Sequence, residues 1–270
     1  MMKNELITII SVNYNTSDFI EVQLDAFTKL SKYPFKFLLA DNGSDDKNLL
    51  YLSKILPRFK NVWVYYRKQS AAGSIGHAEA LDFLISKVDT QYFLVMDADA
   101  VILRKNWDEE FIKYIDHEIK VLGAPPIKGS PKFQDFPFSY MVFLETETYK
   151  NLNCSFMPIA GMETKGCDTG YLIRERFFAN QFKALCFDDH NTRHDKNGPY
   201  FEILCAEYYW PWDQENILSC HFARGSSDGV TKYKYRWYYQ VPFFSSLLKK
   251  FLGKKDRKKW ILKTYELINS

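Results

Sequence analysis

No CxxC pair occurs among the five cysteines (Cys154, Cys167, Cys186, Cys205 and Cys220), and their number is odd. This pattern argues against a zinc site or a disulfide framework and fits a reducing, cytoplasmic compartment. No run of about 18 apolar residues is present, so no segment is expected to span a membrane as a helix. The first residues, Met1-Met-Lys-Asn-Glu-Leu6, lead into a strand-like run instead of the apolar core of a signal peptide. Internal repeats and low-complexity segments are missing as well. A large charge of one sign is also lacking: the net charge is +3, which argues against nucleic acid as a partner.

Apolar residues are plentiful, at 46% of 270 residues, enough to bury the core of one large α/β domain or of one domain with an appendage. Tyr and Phe are frequent, 18 and 22 residues, which suits contact with sugars or membrane as well as a packed core. Charge is unevenly placed. Residues 241–270 hold eight Lys/Arg against two acids, leaving the first 240 residues at about −3.

Four strand–helix units follow one another at intervals of roughly thirty residues. Leu6 to Val12 is rich in β-branched residues and predicts a strand, closed by the polar loop Asn13–Asp18 and a helix from about Phe19 to Leu30. Phe35 to Ala40 predicts the second strand, followed by the turn cluster Asp41–Asp46 and a helix over Leu49–Leu56. Val62 to Tyr66 predicts the third, followed by a loop of small residues, Ser70–His77, and a helix to about Ser86. In that loop Gly73 lets backbone approach a ligand closely. The fourth unit opens with Gln91-Tyr-Phe-Leu-Val-Met-Asp-Ala-Asp-Ala100. This alternation predicts a doubly wound, mostly parallel α/β sheet. Further strands are expected at Val121–Pro126 and Ser139–Glu145.

The apolar run Tyr92–Met96 has the composition of a strand buried on both faces, and it ends on Asp97 and Asp99 with Ala98 between them. Carboxylates there need a compensating cation if they are buried and charged. Ligand crevices of open α/β sheets lie at that end of the strands, and two hard oxygen ligands suit Mg²⁺ or Mn²⁺. The alternative is a helix cap or turn after an ordinary strand.

Val12-Asn-Tyr-Asn15 after strand one, Asp41-Asn-Gly-Ser44 after strand two, and Asp97-Ala-Asp99 after strand four with Trp107 beyond it resemble, in order and spacing, the family 2 glycosyltransferases of the GT-A fold. The resemblance covers roughly residues 5–225. It implies that Val12, Tyr14, Asn15 and Asp41 hold the nucleotide base of a nucleotide-diphosphate sugar, with Gly73, Asp97 and Ala98 also on the donor. Asp41 has an alternative as an Asx-turn holding its own loop. Asp97-Ala-Asp99 would be the family's DxD motif, binding Mn²⁺ or Mg²⁺ together with the late histidine, His221; a buried structural role is the alternative for His221. Arg224 and the Gly-Ser-Ser loop beside it would add donors to the phosphates.

The sequence departs from the family pattern in two places. In the helix after the third strand, His77 and Glu79 stand where an Asn or Arg is common. Where relatives carry a Glu before the acidic-motif Asp, this chain has Cys167, leaving Asp168 six residues before Arg174. Asp168, expected to open a helix, is the candidate catalytic base for the acceptor hydroxyl, with an N-cap role as its alternative and Glu163 as the nearest substitute base.

Other clusters point less far. His190 and His194 have the four-residue spacing of helical metal ligands, but the surrounding Asn, Asp and Gly predict a solvated turn. Tyr208-Tyr-Trp-Pro-Trp212 would either face a sugar ring or pack against the sheet. Phe243, Phe244, Leu247, Leu248, Phe251 and Leu252 recur at helical spacing beside Lys249 and Lys250. They predict a helix lying on an anionic membrane through residues 243–263, or one docked on the domain with a solvated basic end.

The expectations are a GT-A domain over 1–225, with a nucleotide-sugar half (1–120) and an acceptor half (121–225), and a basic C-terminal helical extension (226–270). The resemblance implies an inverting transferase acting on a glycan or lipid-linked acceptor in surface polysaccharide synthesis, cytoplasmic or peripheral at the inner face of the membrane. Two alternatives stand beside it. One is a haloacid-dehalogenase-type phosphatase with Asp97 as nucleophile, although that motif normally ends the first strand. The other is a non-catalytic protein that binds nucleotide-sugar or glycan.

Overall fold

The computed structural model describes residues 5–69, 71, 73–130, 132–159, 168–227, 232 and 244–270. At its centre β1 (Ile7–Asn13) is buried at every position. It pairs in parallel with β2 (Phe35–Asp41) over its full length and with β4 (Tyr92–Met96) over Ile7–Ile10. Ile7 and Ile9 face one core cluster with Phe19 and Phe27, while Ile10 and Val12 face another with Leu81 and Leu84. Burial on both faces is why these strands have no polar alternation.

The first helices cover the two faces. α1 (Ser17–Leu30) turns Phe19, Ile20, Gln23, Phe27 and Leu30 inward at helical spacing. α2 (Asp46–Ile55) is capped by Asp45, whose side chain accepts from the Asn48 amide at 2.9 Å. α3 (Gly73–Ile85) starts inside the predicted small-residue loop, so that loop is shorter than expected.

The main sheet is mixed. With β3 (Val62–Tyr66), β6 (Ile119–Gly123), β7 (Met141–Glu145) and β8 (Lys183–Cys186), its order is β3-β2-β1-β4-β7-β6-β8. The first four strands are parallel, β7 runs antiparallel to both β4 and β6, and β8 is parallel to β6. The order reverses between β1 and β4, so their carboxyl ends open a crevice. A second, antiparallel sheet has the order β5-β11-β10-β9, formed by β5 (Ala100–Ile102), β9 (Asp188–Asn191), β10 (Ala206–Tyr209) and β11 (Ser219–His221). The predicted solvated turn around His190 is thus part of a strand. β10 supplies its backbone ladder, which overrides the poor strand propensity of Asp and Asn.

α4 (Trp107–Tyr114) opens on a fully buried Trp107, whose Nε1 donates to Ser31 Oγ at 3.0 Å. α5 (Thr146–Asn151) and α6 (Tyr171–Ala179) complete the half built on β6–β8. Tyr208 and Trp210 pack inward, leaving only Trp212 of that aromatic cluster more than half exposed, stacked on Trp210 at 5.0 Å.

α7 (Phe244–Asn269) docks along its C-terminal half. Trp260 is buried against Phe19 and Tyr200, and its Nε1 donates to Cys220 Sγ at 3.1 Å. Thr264 shares a hydrogen bond with the Tyr200 hydroxyl at 2.8 Å. Phe243 of the predicted apolar stripe lies outside the described residues; Leu248 and Leu252 are half-buried and Phe251 is exposed. No helix among the described residues is long and apolar enough to cross a membrane.

Candidate active site

The five buried residues Tyr92–Met96 carry the chain to the crevice, where Asp97-Ala98-Asp99 turns it into β5. The turn is held from below. The buried Gln23 amide donates to Asp97 O and Ala100 O at 2.9 Å each, and Ala100 N donates to Asp97 O at 3.0 Å. β11 pairs antiparallel with β5, setting His221 opposite Ala100. This register brings His221 Nε2 to 3.3 Å from Asp99 Oδ1 and 3.9 Å from Asp97 Oδ2. One ligand atom from each of Asp97, Asp99 and His221 lies within 4.8 Å of the others.

The two carboxylates differ in setting. Burial raises the Asp97 carboxyl, while His77 and His221 work against the rise. Burial also pushes on Asp99, but His221 and the Gly225 amide outweigh it and hold that carboxyl down at about 2. Gly225 N donates to Asp99 Oδ2 at 2.6 Å. A Cβ at Gly225 would lie 2.7 Å from that of Asp99, so glycine allows this close approach. Asp97 Oδ1, His221 Nδ1 and His77 Nε2 are buried polar atoms without a hydrogen-bond partner among the described residues. His77 Nε2 faces Asp97 Oδ1 at 3.4 Å. Two carboxylates, one of them with an unbonded oxygen, and an imidazole form a donor set that fits a divalent cation.

Val12, Tyr14 and Thr16 wall the cleft beyond this corner, with Asn42, Gly73, His77, Ala98 and Arg224 facing them. Tyr14 is 43% exposed. Ala223 and Arg224 both have left-handed backbone, φ 62° and 63°, rare in non-glycine residues and a common mark of functional loops.

Two predicted donor residues are turned elsewhere. Asp41 is buried, accepting from Asn13 Nδ2 at 2.7 Å and from Gly43 N and Ser44 N at 3.2 and 3.0 Å. This is the Asx-turn geometry, and it leaves the wall to Asn42. Asn15, at φ 56°, binds the second loop: its amide donates to Ser44 Oγ at 3.0 Å and its Oδ1 accepts from Asp45 N at 2.9 Å.

Asp168 does not cap a helix with its side chain; α6 begins three residues later, after Gly170 at φ 85°. Its carboxylate accepts from Lys132 Nζ at 2.6 Å and from Thr169 N at 2.8 Å. Glu163 and Cys167 lie outside the described residues. His190 pairs through Nδ1 with Asp195 at 3.1 Å, away from the acidic corner.

Two contributors went unnoticed in the sequence. Gln23 is one polar residue on the buried face of α1, an anomaly visible in the helical pattern. Arg257 carries no such mark. From α7 it donates to Asp18 Oδ2 at 2.9 Å, to Gly225 O at 3.1 Å and to Asn15 O at 3.4 Å, tying the loop after β1 to the loop after β11.

Residues 8–167 match the model of Glycosyl transferase family 2. Among solved structures, the mannosyltransferase PcManGT from Pyrobaculum calidifontis, in complex with GDP-Man and Mn²⁺, superposes with a TM-score of 0.53 at 14% identity over 68% of this chain and 55% of that one. TarS from S. aureus gives 0.49 at 18% identity over 67% of this chain and 35% of that one. This chain thus spans about half the length of the first and about a third of the second. No curated protein sequence matches. The sheet order agrees with the GT-A arrangement, and the family match extends over more than half of the residues: the chain belongs to glycosyl transferase family 2.

Proposed function

We propose that this chain moves a sugar from a nucleotide-diphosphate sugar to an acceptor hydroxyl, with inversion at the anomeric carbon. The observation that carries this reading is the convergence of Asp97, Asp99 and His221 within 4.8 Å, at the end of a cleft walled by the loop after β1. Asp97, Asp99 and His221 would hold Mn²⁺ or Mg²⁺. Bound there, the cation would offset charge on the departing diphosphate. Tyr14 and Asn42 line the end of the cleft suited to the nucleoside, and Arg224 supplies a guanidinium for the phosphates.

Asp168 is the proposed base. Burial pushes its carboxyl up, but the Lys132 ammonium and the Thr169 amide outweigh this and hold it below the usual range, so it is ionised at neutral pH. It takes the proton of the acceptor hydroxyl as that oxygen bonds to the anomeric carbon and the bond to the nucleoside diphosphate breaks. Asp168→Asn is expected to lower kcat by about 10²–10⁴-fold while leaving donor affinity unchanged, read by initial rates alongside calorimetric titration. Near wild-type turnover would remove the base assignment.

Arg257 positions the donor loops. Charge-assisted hydrogen bonds of this kind contribute about 1.5–3 kcal/mol, so Arg257→Ala should weaken nucleoside diphosphate binding about tenfold, with Arg257→Lys recovering part of it. An unchanged Kd would sink that role.

The proposed acceptor is a glycan or lipid-linked sugar in surface polysaccharide synthesis at the inner face of the cell membrane. Family membership leaves the phosphatase alternative without support. A thermal-shift panel of nucleoside diphosphates, with and without Mn²⁺, identifies the donor's nucleotide. The same donor, incubated with Mn²⁺, tests catalysis against pure binding: absence of both transfer and donor hydrolysis would favour a binding protein.

A further inference from the structure

The exposed face of α7 has a composition that docking does not require. Gly253, Trp260, Thr264 and Ile268 are buried on its inner side. On the outer side Phe251 is 65% exposed and Leu262 59%, with Lys254, Lys255 and Lys258 exposed between them. At about 100° per residue these five side chains share a strip about 100° wide, turned away from Trp260. Lys254, Lys255 and Lys258 make no ion pair among the described residues, whereas Lys259 and Lys263 on the flank pair with Glu202 and Glu266. Phe201, 48% exposed, borders the same groove as Leu262.

A solvated helix face gains nothing from a Phe and a Leu in water, and clustered unpaired lysines repel one another. Both features are stabilised by a surface that is negative and apolar just beneath its charges. We propose that this face of α7 rests on an anionic lipid bilayer. Phe251 and Leu262 enter the headgroup layer, and Lys254, Lys255 and Lys258 meet the lipid phosphates. Phe251 and Leu262 stand about 16 Å apart along the helix axis. An acidic protein would need two matching pockets at that spacing, whereas a bilayer accepts separated anchors without shape complementarity. Nucleic acid would satisfy the lysines but leave both apolar side chains against phosphates. Because Trp260 faces the opposite way, the helix holds the domain with one side and the membrane with the other.

The test is co-sedimentation of the full chain with vesicles of phosphatidylcholine, alone or mixed with phosphatidylglycerol, without donor or acceptor. Failure here therefore leaves the transferase reading intact. Binding is expected on the mixed vesicles only, and is lost when salt is raised to about 0.5 M. At about fivefold per lysine, the Lys254→Glu/Lys255→Glu/Lys258→Glu variant should lower the partition coefficient at least about a hundredfold. Phe251→Ala/Leu262→Ala should lower it at least about tenfold. All five side chains are exposed, so thermal midpoints should not move. Equal binding to both vesicle types, or unchanged partition of the charge-reversed variant, would overturn the proposal. So would capture by an acidic protein or DNA without vesicle binding.

Discussion

Asp99→Asn is expected to lower sugar transfer by at least about a thousandfold and to remove the part of nucleotide affinity that depends on added Mn²⁺. Asp99 is the more constrained of the two acids, 10% exposed at its side chain, with one oxygen toward His221 and the other receiving the Gly225 amide. Asparagine keeps the shape but loses the charge, and its NH₂ group cannot accept from Gly225 N. The measurement pairs initial transfer rates with calorimetric titration of the nucleoside diphosphate, with and without Mn²⁺. Chelation of the wild type should reproduce the variant's affinity. If Asp99→Asn bound nucleotide with its Mn²⁺ dependence intact, the acidic corner would not be the metal site.

Trp260→Ala is expected to destabilise the protein by about 3–5 kcal/mol, a large fraction of the roughly 5–15 kcal/mol that stabilises a typical domain. The indole is 1% exposed, meets Phe19 edge-on at 5.3 Å and lies nearly parallel to Tyr200 at 6.0 Å. Truncation leaves a cavity among these rings and an unmet Cys220 contact. Urea unfolding followed by far-UV circular dichroism gives the value, and Trp260→Phe should restore most of it. The same variant should weaken donor binding, because Arg257 lies one turn before Trp260 on α7. A wild-type midpoint would mean that α7 does not stabilise the domain. For the membrane proposal this makes charge reversal on the outer face a cleaner test than truncation, which removes the docked indole as well.

Elements whose cause is local were legible. β1, β2 and β4 are readable as apolar runs because buried strands exclude polar side chains, and β3, which has no fully buried position, is readable from its β-branched and aromatic residues; the bounds of all four agree with expectation to within a residue or so. The trouble began where partners are distant. Val121–Pro126 and Ser139–Glu145 were read as strands, but nothing local states that β7 runs against β4. Asp188–Asn191 has no strand signal of its own, and becomes β9 because β10 lies beside it. Asp41 shows a different limit. Its cluster suits a ligand-binding loop and an Asx-turn equally, and only the tertiary structure shows the bonds to Asn13, Gly43 and Ser44 that hold the loop.

By itself the sequence determined the four leading strand–helix units and the placing of two aspartates at a buried strand's exit, since hydrophobic periodicity and strand-end chemistry act over a few residues. Tertiary structure alone decided the antiparallel half of the sheet, the β5–β11 pairing that carries His221 to Asp99 across 122 positions, and the reach of Arg257 to Asn15 and Gly225. Those contacts arise from how packed layers close on each other, and no local run of side chains encodes that closure.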